Sequence, residues 1–409
     1  MRIPLGHLVH INACALSEDV DPETEIQYAD FASVDLDTAI VTPRPETFGS
    51  APSRARRLVR QGDTVIPYLT GSSGWARTRP LLIGSADLSK IVFSTGFYSV
   101  TPTPKVDARF VNYAMSTKSF LSELQAVSSG VTMKGYTSEQ LGKCKIHVPS
   151  VTDQVRIADY LDTKTTQIDA LVEKKQQMIE ALSKRQMVLE SSIVLAAGSQ
   201  PSPIPTIPTV PAGWRVLRNK VFMREVNKPS LDGTEEMLSV SHLTGVTPRS
   251  EKMVYMFEAE STVGYKMVQP GDLVINTMWA WMGAAGVARV PGIVSPAYGV
   301  YRIDPTIMTP DYFDIVVRTS AYITEMTRFS RGVTSSRLRL YPEEFLGLSS
   351  PVPPVEEQPR IVERCFAART RTSRLIERLE RQINLLREQR QAVITSAVTG
   401  ELAVPGVVA

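Results

Sequence analysis

The chain has 409 residues, 43% of them hydrophobic and 21% charged, with a formal net charge of +3. Such a length exceeds one ordinary domain and points to two or three domains of about 100–200 residues each. The small net charge excludes a uniformly basic or acidic protein but leaves room for local basic patches.

Three cysteines, Cys14, Cys144 and Cys365, lie far apart and form no CxxC or Cys/His cluster. Their spacing argues against a disulfide framework and a structural zinc site, so no metal ligands are assigned. The opening segment MRIPLGHLVHINACALSEDV has no basic stretch leading into a long apolar one. No run of about 18 apolar residues occurs, and the cytoplasm is the expected compartment.

In chain order, residues 1–148 read as a first module of α+β structure with short strands. Gly62-Asp63 is a turn into the apolar run Thr64-Val65-Ile66, and Ile91-Val92-Phe93 is a second buried strand. Residues 149–197 follow as a long helix. Leu161, Ile168, Lys175, Leu182 and Leu189 fall seven apart, flanked by Val172, Ile179, Gln186 and Ile193. Residues 198–212 are proline-rich and read as an extended, semi-rigid spacer. Residues 213–351 form a second module, in which Gly271-Asp272 precedes Leu273-Val274-Ile275 and Gly292-Ile293-Val294 is another strand. Residues 352–402 form a second long helix with Leu379, Leu386 and Val393 in series beside Ile376, Ile383 and Ala397. Each helix has roughly 40 residues and is about 60 Å long.

The second half repeats the first. Val148, Pro149, Val151, Gln154, Arg156 and Ile157 recur, without a gap, as Val352, Pro353, Val355, Gln358, Arg360 and Ile361. Gly130-Val131-Thr132 recurs as Gly332-Val333-Thr334, Thr117 as Thr319, and Glu123 as Glu325. A unit of about 200 residues therefore occurs twice. Both helices carry the same stripe and should pair antiparallel, giving a pseudo-twofold protein. Leu171, Val172, Ile179 and Leu182 are expected to meet Leu375, Ile376, Ile383 and Leu386 in the seam.

At these residues the chain resembles the specificity subunits of type I restriction-modification systems, the HsdS family. VPSVTDQVRIADYLD and VPPVEEQPRIVERCF resemble the segments that open that family's long helices. PSRARRLVRQGDTVI, STGFYSV, GDLVINTMWAWMGAAGV and IVSPAYGVYRI resemble blocks within its target recognition domains. The first copy departs in having Thr152-Asp153-Gln154 where the second has Glu356-Glu357-Gln358. The resemblance implies two tandem target recognition domains that bind double-stranded DNA at a bipartite, asymmetric target. It implies docking of two methyltransferase subunits and, in the full complex, of restriction and translocase subunits. The chain would then be a non-catalytic part of a multisubunit restriction enzyme and adenine-specific DNA methyltransferase. It would carry no cofactor itself, with S-adenosylmethionine, ATP and magnesium used by the partners. The sequence agrees in lacking a GxxxxGK[ST] phosphate loop. Other readings are a coiled-coil scaffold that binds only protein, or the recognition subunit of a methylation-only system.

The candidate DNA contacts are cations and loop residues able to reach phosphates or base edges. In the first module these are Arg54, Arg56, Arg57, Arg60, Arg77 and Arg79, with Gly130 and Lys134 in a glycine loop. In the second they are Arg328, Arg331, Gly332, Arg337 and Arg339, with Asn276 beside Trp279 and Trp281. Arginine suits both tasks because its planar fork grips guanine or phosphate with two bonds. Arg369, Arg371, Arg374, Arg378 and Arg381 crowd the second helix and face DNA, a partner or solvent.

Overall fold

The structure is a computed structural model and describes residues 1–17, 19–35, 40–71, 80–129, 133–251, 261–332 and 338–407. The chain forms two compact units. Unit one is Met1–Lys175 with Glu380–Ala409, and unit two is Gln176–Leu379. The helices among the described residues are α1 (Ala108–Met115), α2 (Lys118–Val127), α3 (Ser138–Lys143), α4 (Val151–Val194), α5 (Pro310–Val316), α6 (Ser320–Phe329), α7 (Pro342–Gly347) and α8 (Gln358–Thr399). None of the described helices is long and apolar enough to cross a membrane.

Unit one contains an antiparallel sheet in the order Leu81–Leu82, Thr64–Pro67, Phe97–Pro102, Val9–Ile11. Thr64–Pro67 is buried along its whole length, as an apolar run after a turn requires. Ile66 and Val100 pack against Phe110, Val111 and Phe120 of α1 and α2. A second sheet runs Arg44–Thr47, Glu25–Ala29, Ile91–Ser94, Ala55–Arg57, with Ile91–Ser94 parallel to Glu25–Ala29. Val65 and Phe97 of the first sheet share a core with Ala29 and Phe93 of the second.

Unit two repeats the first sheet in the same order: Ala285–Val287, Asp272–Ile275, Gly299–Ile303, Met223–Glu225. Leu273, Ile275 and Tyr301 pack against Phe313 and Tyr322 of α5 and α6. Thr117 and Thr319 cap α2 and α6 in the same way, each hydroxyl accepting the amide three residues on. Each module also ties its start to its end: Arg2–Pro4 pairs with Lys145–His147, and Arg215–Arg218 with Ser349–Val352.

The repeated glutamine has a clear physical role. The Gln154 amide is buried, accepts the Asp107 N–H at 2.9 Å and donates to the Pro149 carbonyl at 3.0 Å. Gln358 accepts the Thr309 N–H at 2.7 Å and donates to the Pro353 and Ile307 carbonyls. One side chain thus satisfies the first turn of the long helix and the N-terminus of a module helix together.

Both units contain an antiparallel stretch of the α4 and α8 pair. In unit one Asp169 accepts from Arg390 at 2.9 Å and Lys175 donates to Gln382 at 2.7 Å, so one partner's number rises as the other's falls. In unit two Gln186 accepts from Thr372 at 2.6 Å, and Glu190 is gripped by both ends of the Arg369 guanidinium at 2.8 Å. Val172, Ile179, Leu182, Ile376, Ile383 and Leu386 are buried or half-buried in the seam. Leu171 and Leu375 correct the sequence reading, being 48% and 41% exposed. Each precedes a seam residue, and one step along a helix turns a side chain by about 100°.

Residues 198–212 also differ from the expected extended spacer. Gln200–Ile204 and Ile207–Val210 fold back as an antiparallel hairpin. Ile204, Ile207 and Val210 are buried in the unit two core, while Pro201, Pro203, Pro205 and Pro208 stay exposed. A two-stranded ribbon has open edges, where a residue without an N–H is tolerated. The stretch following α8 has an equivalent role in unit one, where Val404 is buried. The second long helix starts at Gln358, after the strand Ser349–Val352 and the Pro353-Pro354 pair, which cannot be helical interior.

Candidate nucleic-acid interface

In each module an arm downstream of the long-range helix pair α1–α2 or α5–α6 returns to the strand after the glycine-aspartate turn. In unit one the Tyr136 N–H donates to the Tyr68 carbonyl at 3.3 Å, and Ser129 and Gly135 exchange two backbone bonds of 2.9 Å. In unit two the Leu340 N–H donates to the Thr277 carbonyl at 2.9 Å, and Arg331 and Arg339 exchange bonds of 2.9 and 2.8 Å. The same arm is therefore fastened at matching positions in both repeats, while Gly130-Val131-Thr132 and Val333-Thr334 lie outside the described residues.

The unit one arm is locked by tyrosines that the sequence reading did not single out. Tyr98 lies 5.9 Å from Tyr68 and 5.6 Å from Tyr136, ring centre to ring centre. The Tyr98 hydroxyl donates to the Tyr136 carbonyl, and the Tyr136 hydroxyl to the Pro67 carbonyl. Burial pushes the Tyr136 hydroxyl well above the usual phenol range. Their signal was present as Tyr98 in STGFYSV and Tyr136 directly after the glycine loop, but only contact shows that the two meet.

The unit one arginines divide by their surroundings. Arg54 and Arg60 are exposed. The Arg56 guanidinium lies 4.8 Å from the Phe48 ring centre and bonds the Ala55 carbonyl. Arg57 is half-buried, donates from Nε to the Phe97 carbonyl at 3.2 Å, and has its pKa depressed by burial. Lys134 sits on the strand Met133–Gly135, paired with Leu69–Gly71. Arg77, Arg79, Gly130 and Arg337 lie outside the described residues.

Unit two shows the same division. Arg328 grips buried Glu325 with two contacts of 2.9 and 3.0 Å, and Glu325 also accepts the Thr206 N–H of the hairpin. Arg331 pairs with Glu344. Arg339 and Gly332 are exposed, with the Arg339 guanidinium 5.4 Å from the Tyr341 ring centre. Asn276 is 8% exposed and fully engaged: its amide donates to the Tyr298 hydroxyl and accepts the Met278 N–H. It shapes the turn that carries Trp279, which is 50% exposed. Trp281 is half-buried, with its indole N–H on the Met278 carbonyl. On α8, Arg369 is paired with Glu190, whereas Arg371, Arg374 and Arg378 are exposed.

The described residues contain no group of three or more His, Cys, Asp or Glu arranged to hold a metal ion. Burial raises the thiols of Cys144 and Cys365 to about 11, which makes them poor nucleophiles. What the unit two arm offers is the exposed Arg339 guanidinium beside the Tyr341 ring and exposed Gly332, the chemistry of phosphate and base contact.

A family model described as the type I restriction modification DNA specificity domain matches residues 79–181. The Escherichia coli type I restriction enzyme EcoBI specificity subunit is 24% identical over 323 residues, covering 73% of this chain and 66% of that protein's length. A solved chain from work on complex assembly and conformational transition of the type I R-M system aligns with a TM-score of 0.70 at 18% identity, covering 98% of both chains. The HsdS subunit from Thermoanaerobacter tengcongensis aligns over 98% of this chain and 97% of its own, with a TM-score of 0.48 and 18% identity.

Proposed function

We propose that the chain is a type I restriction-modification specificity subunit, as its similarity to that family supports, and that it reads a bipartite, asymmetric DNA target with one half-site per unit. The observation that supports this most is that Tyr136 in one repeat and Leu340 in the other bond back to matching positions, Tyr68 and Thr277, where the residues that follow differ, Leu69-Thr70 against Met278-Trp279. A symmetric dimer reads a palindrome. Two like scaffolds with unlike tips read two unlike half-sites. The α4 and α8 pair acts as a ruler that sets the non-specific gap. The chain contributes recognition alone, and the methyltransferase and restriction subunits that dock on it supply S-adenosylmethionine, ATP and magnesium chemistry.

Leu171 and Leu375 support the docking half of this reading. They occupy matching positions in the repeat, are both exposed, and both flank the seam. Two copies of one partner need two like surfaces, and this matched leucine pair provides them.

The test is to express the chain with its methyltransferase subunit and map methylated bases by long-read sequencing. A single bipartite motif with two different halves is expected. Exchanging residues 1–148 for the module of a relative should change one half alone. A change in both halves, or a palindromic motif, refutes the reading.

A further inference from the structure

We propose that Met278 and Trp279 are the base-reading tip of unit two, pressing an apolar face onto the base pairs of its half-site while Arg339 beside them holds phosphate. The inference rests on the DNA-reading function proposed above and names the residues that set specificity.

Scattered exposed apolar residues are ordinary on protein surfaces. These two differ because they are adjacent and the turn beneath them is rigid. Met278 and Trp279 are 46% and 50% exposed. Asn276 accepts the Met278 N–H through its side chain and the Trp279 N–H through its carbonyl. The Trp279 carbonyl accepts the amides of Met282 and Ala284, and the Trp281 indole fastens the Met278 carbonyl. Gly283 completes the turn at φ +83°, and a Cβ there would lie 2.6 Å from Ile323 Cδ1 of α6. No other residue fits that conformation and that contact without a shift. The tip is thus braced before any ligand arrives, so little ordering cost remains on binding.

The neighbourhood selects the occupant. The Leu340 N–H on the Thr277 carbonyl brings the arm with Arg331, Gly332 and Arg339 directly to this turn. Exposed Arg339 beside an apolar wedge complements a duplex, with phosphates at its edge and methyl groups and base steps within the grooves. In unit one the place after the same buried strand is held by Tyr68-Leu69-Thr70. Unlike side chains on a like scaffold are what reading two different half-sites requires.

An apolar contact releases no counterions, whereas a cation on phosphate does, and this separates the two roles. The experiment uses the full chain in complex with its methyltransferase subunit. Binding is measured over a salt series to a duplex bearing the methylation-mapped target and to an unrelated duplex. Trp279→Ala should weaken target binding roughly tenfold or more, with unrelated duplex within about twofold and an unchanged salt slope. Trp279→Phe should recover most of the loss. Arg339→Ala should weaken both duplexes and lower the slope by about one. Unchanged melting temperatures establish that the exposed substitutions act on binding. Wild-type-like target binding by Trp279→Ala, or equal loss on both duplexes, overturns the inference. A wild-type complex that prefers no duplex overturns the DNA-reading function itself.

Discussion

Asp272 is clasped by Arg302 across neighbouring strands, Nε to Oδ1 at 2.9 Å and Nη2 to Oδ2 at 3.0 Å. Its counterpart in the first repeat, Asp63, has no such clasp: it feels the Thr101 hydroxyl and the Arg60 charge, and its Oδ1 is buried without a hydrogen-bond partner among the described residues. Both aspartates use Oδ2 to cap the preceding turn, accepting the Arg60 and Gln269 amides. Burial raises the Asp63 pKa from its ordinary value. The raised value means that protonation favours the folded form. Its contribution is fully present below the unfolded pKa near 3.8 and is lost as pH rises through the folded value.

Opposite effects are therefore expected from one substitution in the two repeats. At neutral pH Asp63→Asn should hold or raise the melting temperature, because it removes a buried charge and keeps the acceptor. Asp272→Asn should cost about 1 kcal/mol, a modest figure because Arg302 is partly exposed to water. Calorimetric melts at neutral and acidic pH check both, and the Asp63→Asn gain should shrink on acidification.

Gln358→Leu should cost about 3 kcal/mol or more. It strands the Thr309 N–H and the Pro353 and Ile307 carbonyls in a buried site, at about 1–3 kcal/mol for each group left unsatisfied. Gln154→Leu should act alike in unit one. Limited proteolysis should show the altered unit opening first, and wild-type resistance would contradict the role assigned to this side chain.

The seam and its flank should respond differently. Leu182→Asp places a charge among half-buried seam residues and should lose several kcal/mol or yield insoluble protein. Leu171→Asp adds a charge at an exposed position and should fold normally while weakening methyltransferase assembly. Pull-down of the methyltransferase subunit with the two variants distinguishes seam from docking surface.

The ruler is tested by lengthening both helices. Four residues inserted beside Lys175, matched by four after Leu379, add about 6 Å. Base pairs rise about 3.4 Å each, so the gap should grow by one or two base pairs. Both half-site sequences should stay the same. An unaltered gap in a fully active complex would leave the helices merely structural.

The sequence itself determined the repeat, the two long helices, the buried strands after Gly62-Asp63 and Gly271-Asp272, and the family resemblance. Each of these is written in local spacing: a period of seven, a turn followed by an apolar run, or a motif that recurs without a gap. Spacing did not separate Leu171 from Val172 or Leu375 from Ile376, because neighbouring leucines and β-branched residues look equally apolar until one meets a partner helix. It did not reveal that the prolines at 201–208 belong to a hairpin, since proline reads as extended whether or not the chain folds back. Composition made Arg328, Arg57 and Asn276 resemble Arg339 and Trp279 as candidate contacts. Only the tertiary structure divided them, by placing Glu325, the Phe97 carbonyl and Tyr298 against the first three and leaving the last two exposed. A polar side chain is available to a ligand when nothing inside the protein satisfies it, and that is decided by residues distant in the chain.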